Sequence, residues 1–288
     1  MTTTTRFVFL ADTQLGAYAT FSGLSEEEAA GFLTRGMRVS SVPRVEGYEW
    51  DAHRFLEAVD AVNALEPDFV VVGGDMIDDA SSKEQLGELH RISSYFDPSI
   101  RVHWVPGNHD IAPDSVAPTH ESIRRYRQVF GPDFYSFATN GTRFIVMNTV
   151  VFDQPRNVPD HLEEQFTFIE EELNGARGAD HIVLFGHHPL FVDRPDEPDS
   201  YWNIPTERRA RLLRLIHEYG VEIAFAGHLH RNAEARDGNF TMVTSGPVGY
   251  PLGEDPPGLR VVRVGPDGIT HEYRAIQTPD RPGERGDL

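Results

Sequence analysis

The chain has no cysteine. That excludes disulfides, thiolate metal ligands and a cysteine nucleophile, and it leaves the compartment unmarked by redox chemistry. Long apolar runs are also missing: none approaches the roughly 20 residues that a membrane-crossing helix needs. Nor does a basic segment followed by an apolar one open the sequence, so a cytoplasmic protein without a membrane partner is expected. Positive charge is the third shortage. Lys and Arg number 26 against 45 Asp and Glu, a formal net charge of -19. Nucleic-acid binding rests largely on basic contacts to phosphate, so no nucleic-acid partner is expected. A small anionic substrate stays compatible, because bound divalent cations can dominate the local field.

What is present is an alternation of apolar, β-rich runs with helical periodicity. Strands are predicted at 7–10, 69–72, 101–105, 144–148, 181–185, 222–226, 241–244, 259–264 and 269–274, and helices at 51–65, 82–95, 119–130, 162–173 and 206–219. The first five strands read as near-continuous apolar runs, which suits sheets covered on both faces. The last four follow one another closely, as antiparallel strands would. With 288 residues the chain can bury a substantial core. Residues 1–278 are expected to form a single α/β domain, with 17–47 as a lid or insertion and 279–288 as a flexible tail. The acidic run at Glu26, Glu27 and Glu28 reads as a solvated helix start.

Several strands end alike, in Asp, Asn or His beside Gly. The first runs FVFLADTQLG into Asp12 and Gln14. The second ends in GGDMIDD with Asp75 and Asp78, and the third in VPGNHD with Asn108, His109 and Asp110. Later ones end in LFGHHPL with His187 and His188, and in FAGHLH with His228 and His230. In layered α/β folds the carboxyl ends of strands gather at one edge, where ligands bind. Five sequence-distant clusters therefore converge on paper, each with oxygen or imidazole donors suited to Mn, Fe, Zn or Mg. Gly-Asp after a strand is usually an ordinary turn, and the Asn and Asp of GNHD also serve turns well, whereas the two histidines of GHLH, at i and i+2, can lie on one face of a strand or clamp a metal around a turn. Isolated histidines such as His90, His103 and His217 read as satisfied surface or core residues.

The set ADTQ, GDMID, GNHD, GHHP and GHLH resembles the motif series of the calcineurin-like metallophosphoesterases, in which the first motif is Asp-x-His. ADTQLG, the Tyr135 to Asn148 block, HPLF, GHLHRNA and PPGLRVV are similar to a branch of that family, serine/threonine phosphatases, whose first motif also carries Gln. The resemblance implies a four-layer αββα sandwich with two central mixed β-sheets and a two-metal centre. Asp75 would bridge the metals. One would be held by Asp12, Gln14, Asp75 and His230, the other by Asp75, Asn108, His187 and His228. His109 would be the general acid, oriented by Asp78. Asn108 and His109 would also touch substrate.

The chemistry is coherent. Two cations about 3.5–4 Å apart neutralise a phosphate ester and present a hydroxide to phosphorus, and a His near its pKa protonates the leaving oxygen. Gln14 is either a weaker, harder metal ligand favouring Mn or Mg at its site, or only a hydrogen-bond partner there. Arg231, Tyr201 and Asn203 are further candidates for substrate contact, and residues 248–252 for a cleft wall. The expected activity is hydrolysis of a phosphomonoester, in a small molecule or a phosphoserine or phosphothreonine protein. A phosphodiesterase on cyclic nucleotides, a non-catalytic metal-binding scaffold and a nuclease are the alternatives; the charge of -19 counts against the last.

Overall fold

In the computed structural model, which describes residues 4–34, 36–39, 42–112 and 116–276, the chain runs β1 (Thr5–Leu10), α1 (Ala17–Phe21), α2 (Glu26–Leu33), α3 (Glu49–Leu65), β2 (Phe69–Val72), α4 (Lys83–Ser93), β3 (Arg101–Trp104), α5 (Asn108–Ile111) and α6 (His120–Phe130). It continues through β4 (Tyr135–Thr139), β5 (Thr142–Val146), α7 (Thr149–Asp153), α8 (Pro159–Gly175), β6 (His181–Phe185), α9 (Thr206–Tyr219), β7 (Ile223–Ala226), β8 (Ala233–Asp237), β9 (Phe240–Thr244), β10 (Gly258–Gly265) and β11 (Gly268–Ala275).

Two mixed sheets result. One has the order β11-β10-β1-β2-β3 and the other β4-β5-β6-β7-β9-β8. β1, β2 and β3 are parallel, as are β5, β6, β7 and β9, while β10, β11, β4 and β8 pair antiparallel. Parallel neighbours need crossovers, and α3, α4, α8 and α9 supply them. Side chains of each strand alternate between faces. Phe7, Phe9, Phe69 and Val71 therefore meet Phe144, Phe185, Phe225 and Val243 of the second sheet. Val8, Leu10, Val70 and Val72 join a different cluster with the helix residues Phe55, Val59, Leu89 and Ile92. Phe7 stacks on Phe69 at 5.0 Å and meets Phe185 edge-on at 5.5 Å, pairs worth about 0.5–1.5 kcal/mol each beyond their burial. Helices outside and two sheets face to face give the four layers expected. No helix among the described residues is long and apolar enough to cross a membrane.

Two expectations about strands need correction. β4 and β8 are strands that the sequence pattern did not predict. The strands at 222–226 and 241–244 were expected to be antiparallel; β7 and β9 are parallel, because β8 carries the chain across the sheet edge and hairpins back into β9. The 17–47 stretch contains α1 and α2. α2 begins at the acidic run and is held by a capping box between Ser25 and Glu28. Tyr18, Phe21, Phe32 and Met37 from this stretch pack with Trp50, Trp202, Tyr250 and Leu252. The tail at 279–288 lies outside the described residues.

His103, on β3, is a buried core histidine. Its ring stacks on Phe137 at 3.8 Å and meets Phe69 edge-on at 5.3 Å. Burial, helped by the charge of Arg101, lowers its pKa from 6.5 to about 4. The folded state therefore binds this proton more weakly than the unfolded chain. Its stability contribution is intact above pH 6.5 and is lost as pH falls toward about 4. Denaturant melts at pH 7 and pH 5 should show a smaller loss for His103→Phe than for the parent chain. Equal losses would refute the assignment.

Candidate active site

The five motif loops leave the carboxyl ends of β1, β2, β3, β6 and β7 and meet at one edge of the sandwich. Ladder-like bonds continue past the strand ends and fix the loops. Asp12 N–H donates to the Gly74 carbonyl (3.2 Å), Gln14 N–H to Asp75 (2.8 Å), Gly249 N–H to Asp12 (2.9 Å), Gly227 N–H to His187 (3.0 Å) and Leu252 N–H to His230 (3.1 Å). Seven non-glycine residues among those described have positive φ, and five are Asp12, Gln14, Asp75, His228 and His230. Such conformations cost of order 1–3 kcal/mol each and persist only where the surroundings impose them. Gly107 allows the closest approach: a Cβ there would sit 2.2 Å from Asp75 Oδ1 and 2.1 Å from its backbone nitrogen.

The side chains form two groups that share one carboxylate. Asp75, His187 and His228 offer ligand atoms within 4.8 Å of one another, and so do Asp12, Asp75 and His230. Each imidazole is oriented by the main chain through its other nitrogen. His187 Nδ1 pairs with the Gly73 carbonyl (2.9 Å), His228 Nε2 with Tyr201 (3.0 Å) and His230 Nδ1 with Tyr250 (2.5 Å). A ring nitrogen facing a carbonyl carries the proton and donates, so the opposite nitrogen is left for the site. His187 Nε2 then lies 3.0 Å from Asp75 Oδ2 and 3.9 Å from Asp12 Oδ1, and His230 Nε2 lies 3.4 Å from Asp12 Oδ1. The His187–Asp75 approach is close but is not aligned as a hydrogen bond.

That geometry fits divalent cations. Lone pairs of imidazoles and buried carboxylates converge, and something positive must lie between them. Burial opposes charging His187, yet Asp75 and then Asp12 raise its pKa to about 10. Burial likewise favours neutral Asp75, but the imidazoles of His187 and His109 hold its pKa well below the carboxylate range. Asp12 is raised by burial, against the pull of His230 and His187. Burial and the charge of His187 press His228 down to about 3, which keeps it neutral as ligation requires.

Gln14 supplies the clearest second sign. Its Nε2 donates to Asp78 Oδ1 at 2.9 Å, while its Oε1 is buried without a hydrogen-bond partner. An amide oxygen left bare inside protein costs about 1–3 kcal/mol; a cation beside it removes that cost. Asn108 opens α5 and is buried there. It lines a small cavity with His188 and Tyr201, beside the main cleft.

Three predicted roles differ in the structure. His109 Nδ1 lies 2.7 Å from the Asp78 carbonyl, whereas the Asp78 carboxylate is 3.5 Å away and instead accepts from Gln14 and from Thr20 Oγ1 (3.2 Å). The main chain, more than the carboxylate, aims His109. Asn203 does not line the cleft. Its amide donates to Glu197 Oε1 (2.5 Å) and the Pro198 carbonyl, and its oxygen accepts from Ser200 N–H, so it organises its own loop. Arg231 donates to the Gly36 carbonyl (2.9 Å) and covers the Trp202 ring, tying α2's end to the GHLH turn. Tyr201 does line the cleft, with Asp75, Asp78, His109, His228, His230 and Gln14.

The sequence reading missed two supports. Asp110 accepts from the N–H groups of Gly107, Asp75 and Met76, each at 2.8 Å, and so clamps two motif loops. Burial and the nearby Asp75 push its pKa up to about 7. Thr149 Oγ1 accepts from the amides of His187 (3.0 Å) and His188 (2.9 Å). A signal existed for Asp110, an acid three residues beyond an N-cap glycine; none existed for Thr149.

Comparison with known proteins agrees with this geometry. Residues 5–232 match the family model described as calcineurin-like phosphoesterase. The chain is 36% identical over 253 residues to the serine/threonine-protein phosphatase CPPED1 of Pongo abelii and 35% identical to that of Homo sapiens, covering 84% of this chain and 80% of each relative. The crystal structure of a dimetal phosphatase from Danio rerio superposes with a TM-score of 0.59 at 16% identity, covering 95% of this chain and 99% of that one.

If Gln14 Oε1 is a ligand, Gln14→Ala should retain one tightly bound Mn ion per chain and bind the second about 10–100-fold more weakly, with Gln14→Glu restoring it. Titration calorimetry with Mn reads this directly. Two ions bound to Gln14→Ala with parental affinity would reduce Gln14 to a hydrogen-bond partner of Asp78.

Proposed function

The chain belongs to the calcineurin-like phosphoesterase family and is a phosphoric ester hydrolase, and on that premise we propose that it is a dinuclear phosphomonoesterase acting on phosphoserine or phosphothreonine in proteins. The observation that carries the proposal is the pair of ligand groups sharing Asp75, with His109 on the same cleft. Asp12, Gln14, Asp75 and His230 would hold one cation, Mn or Mg being favoured by the amide oxygen of Gln14. Asp75, Asn108, His187 and His228 would hold the other. When bound, such cations neutralise phosphate charge and lower the pKa of water toward about 7. A cytoplasmic location is part of the same proposal.

The protein's own part is to hold, aim and protonate. Asp75 Oδ1 accepts the backbone N–H of His109 at 2.9 Å, so the carboxylate shared by both ligand groups and the proposed acid are fixed to one another through the main chain. His109 Nδ1 donates to the Asp78 carbonyl, which leaves Nε2 as the nitrogen that hands its proton to the departing alkoxide oxygen. The Asp78 carboxylate lies 3.5 Å from the same Nδ1. The leaving serine or threonine oxygen then departs as an alcohol, and no side-chain nucleophile is required.

His109→Ala separates catalysis from metal binding, because the bond from residue 109 to Asp75 comes from the backbone and survives. Its turnover of an aryl phosphomonoester should fall about 10²–10⁴-fold with Mn stoichiometry unchanged. The parent chain, loaded with Mn, should prefer the monoester to the matching bis-aryl diester and lose activity to chelator. Unchanged turnover in His109→Ala removes the proposed acid; a diester preference in the parent moves the function to phosphodiester hydrolysis.

A further inference from the structure

The cleft is lined by two kinds of side chain. Gln14, Asp75, Asp78, His109, His228 and His230 supply carboxylate, imidazole and amide, while Phe21, Phe32, Met37, Tyr201, Trp202 and Leu252 form an apolar wall. Among the described residues lining it there is no Lys or Arg. Arg231, which could have reached in, is directed to the Gly36 carbonyl and against the Trp202 ring instead. The enclosed volume is about 210 Å³, below the roughly 300–1,000 Å³ of pockets that bury drug-sized ligands. A phosphate and one compact group fit within that space.

The wall is firmly built. Tyr18 stacks on Trp50 at 5.3 Å and meets Tyr250 edge-on at 4.7 Å. Phe21 stacks on Tyr250 at 5.1 Å and Phe32 packs edge-on to Phe21 at 5.5 Å. Asp51, fully buried, accepts the Gly16 and Tyr18 amides, and Arg54 joins the Tyr18 hydroxyl to the Gly249 carbonyl. Arg38 N–H donates to the Leu252 carbonyl at 3.2 Å. Preorganised apolar surface of this kind binds without an ordering cost.

We infer that this wall, contributed by α1, α2, Met37, Trp202 and Leu252, selects among phosphomonoesters those that present an apolar group beside the phosphate and turns polyanions away. The inference rests on the phosphomonoesterase reading of the same site. A second phosphate would lie against Asp78 and aromatic rings, losing its hydration without a compensating cation. An apolar group would instead exchange water for the apolar side chains that line the cleft.

The test uses Mn-loaded protein with ethyl phosphate and 2-phenylethyl phosphate. Both release a primary alkoxide, so they differ chiefly in apolar surface. The 2-phenylethyl ester should show a kcat/KM roughly tenfold to hundredfold higher, mostly through a lower KM. Phe32→Ala should shrink the ratio at least about threefold and Phe32→Leu should restore part of it, while pyrophosphate should be a poorer substrate than either ester. Equal specificity constants for the two esters, or equal losses on both in Phe32→Ala, overturn the inference and leave monoester hydrolysis standing. No turnover of either ester with Mn bound overturns the phosphomonoesterase reading itself.

Discussion

Asp75 is a carboxylate sealed inside protein, 2% exposed, and it constrains everything around it. An ion so placed loses several kcal/mol of hydration, so positive charge has to be brought to it from more than one direction. His187 faces it from the second sheet, while the backbone N–H of His109 donates to it from the β3 loop. This dictates the architecture. The two sheets must stand at a fixed separation and the ends of β2 and β6 must align. The phenylalanine layer of Phe7, Phe69, Phe144, Phe185 and Phe225 provides that separation with rigid, interlocking rings. Packing remote from the chemistry thus sets the distance between a carboxylate of one sheet and an imidazole of the other.

The same constraint explains the backbone. Asp12, Gln14, Asp75, His228 and His230 take the left-handed region, which reverses the chain sharply and turns each side chain back toward the sheet edge. An isolated loop would relax out of it. Here each loop is bonded to its neighbour: Asp12 to Gly74 and Gly249, Gln14 to Asp75, His230 to Leu252. The strain is shared among loops that hold one another, so ligand positions are preorganised and coupled.

Much of this was legible from residue order because buried parallel strands are apolar on both faces and end abruptly. β2, β6 and α9 fall where the pattern placed them. β4 and β8 were not legible, since as edge strands they are half exposed and mix polar with apolar residues. The site divides along a similar line. Ligand-type side chains at strand ends announce themselves. The carbonyls of Gly73, Tyr201 and Tyr250 that orient three histidines do not, because every residue has a carbonyl and only the fold aims it. The choice between the carbonyl and carboxylate of Asp78 was invisible for the same reason. Asn203 and Arg231 were plausible by type but are engaged in holding loops.

Gln14 has a consequence that follows from proton bookkeeping. An imidazole at this position, as in the wider family, binds a cation strongly but must first lose any proton it carries, so its affinity falls in acid. A carboxamide never titrates in water. Its Nε2 is engaged by Asp78, which fixes the amide so that only the oxygen can face the site. Of the residues assigned to that cation, Asp12 and Asp75 are carboxylates already drawn on by buried imidazoles, and only His230 is an imidazole. With the ligand sets proposed above, the Gln14 half of the centre would trade strength of ligation for a donor no proton can occupy. The other half would keep the stronger imidazole set of His187 and His228, the latter held neutral by burial and the charge of His187. The two cation positions would then be unequal, and the inequality would originate at Gln14.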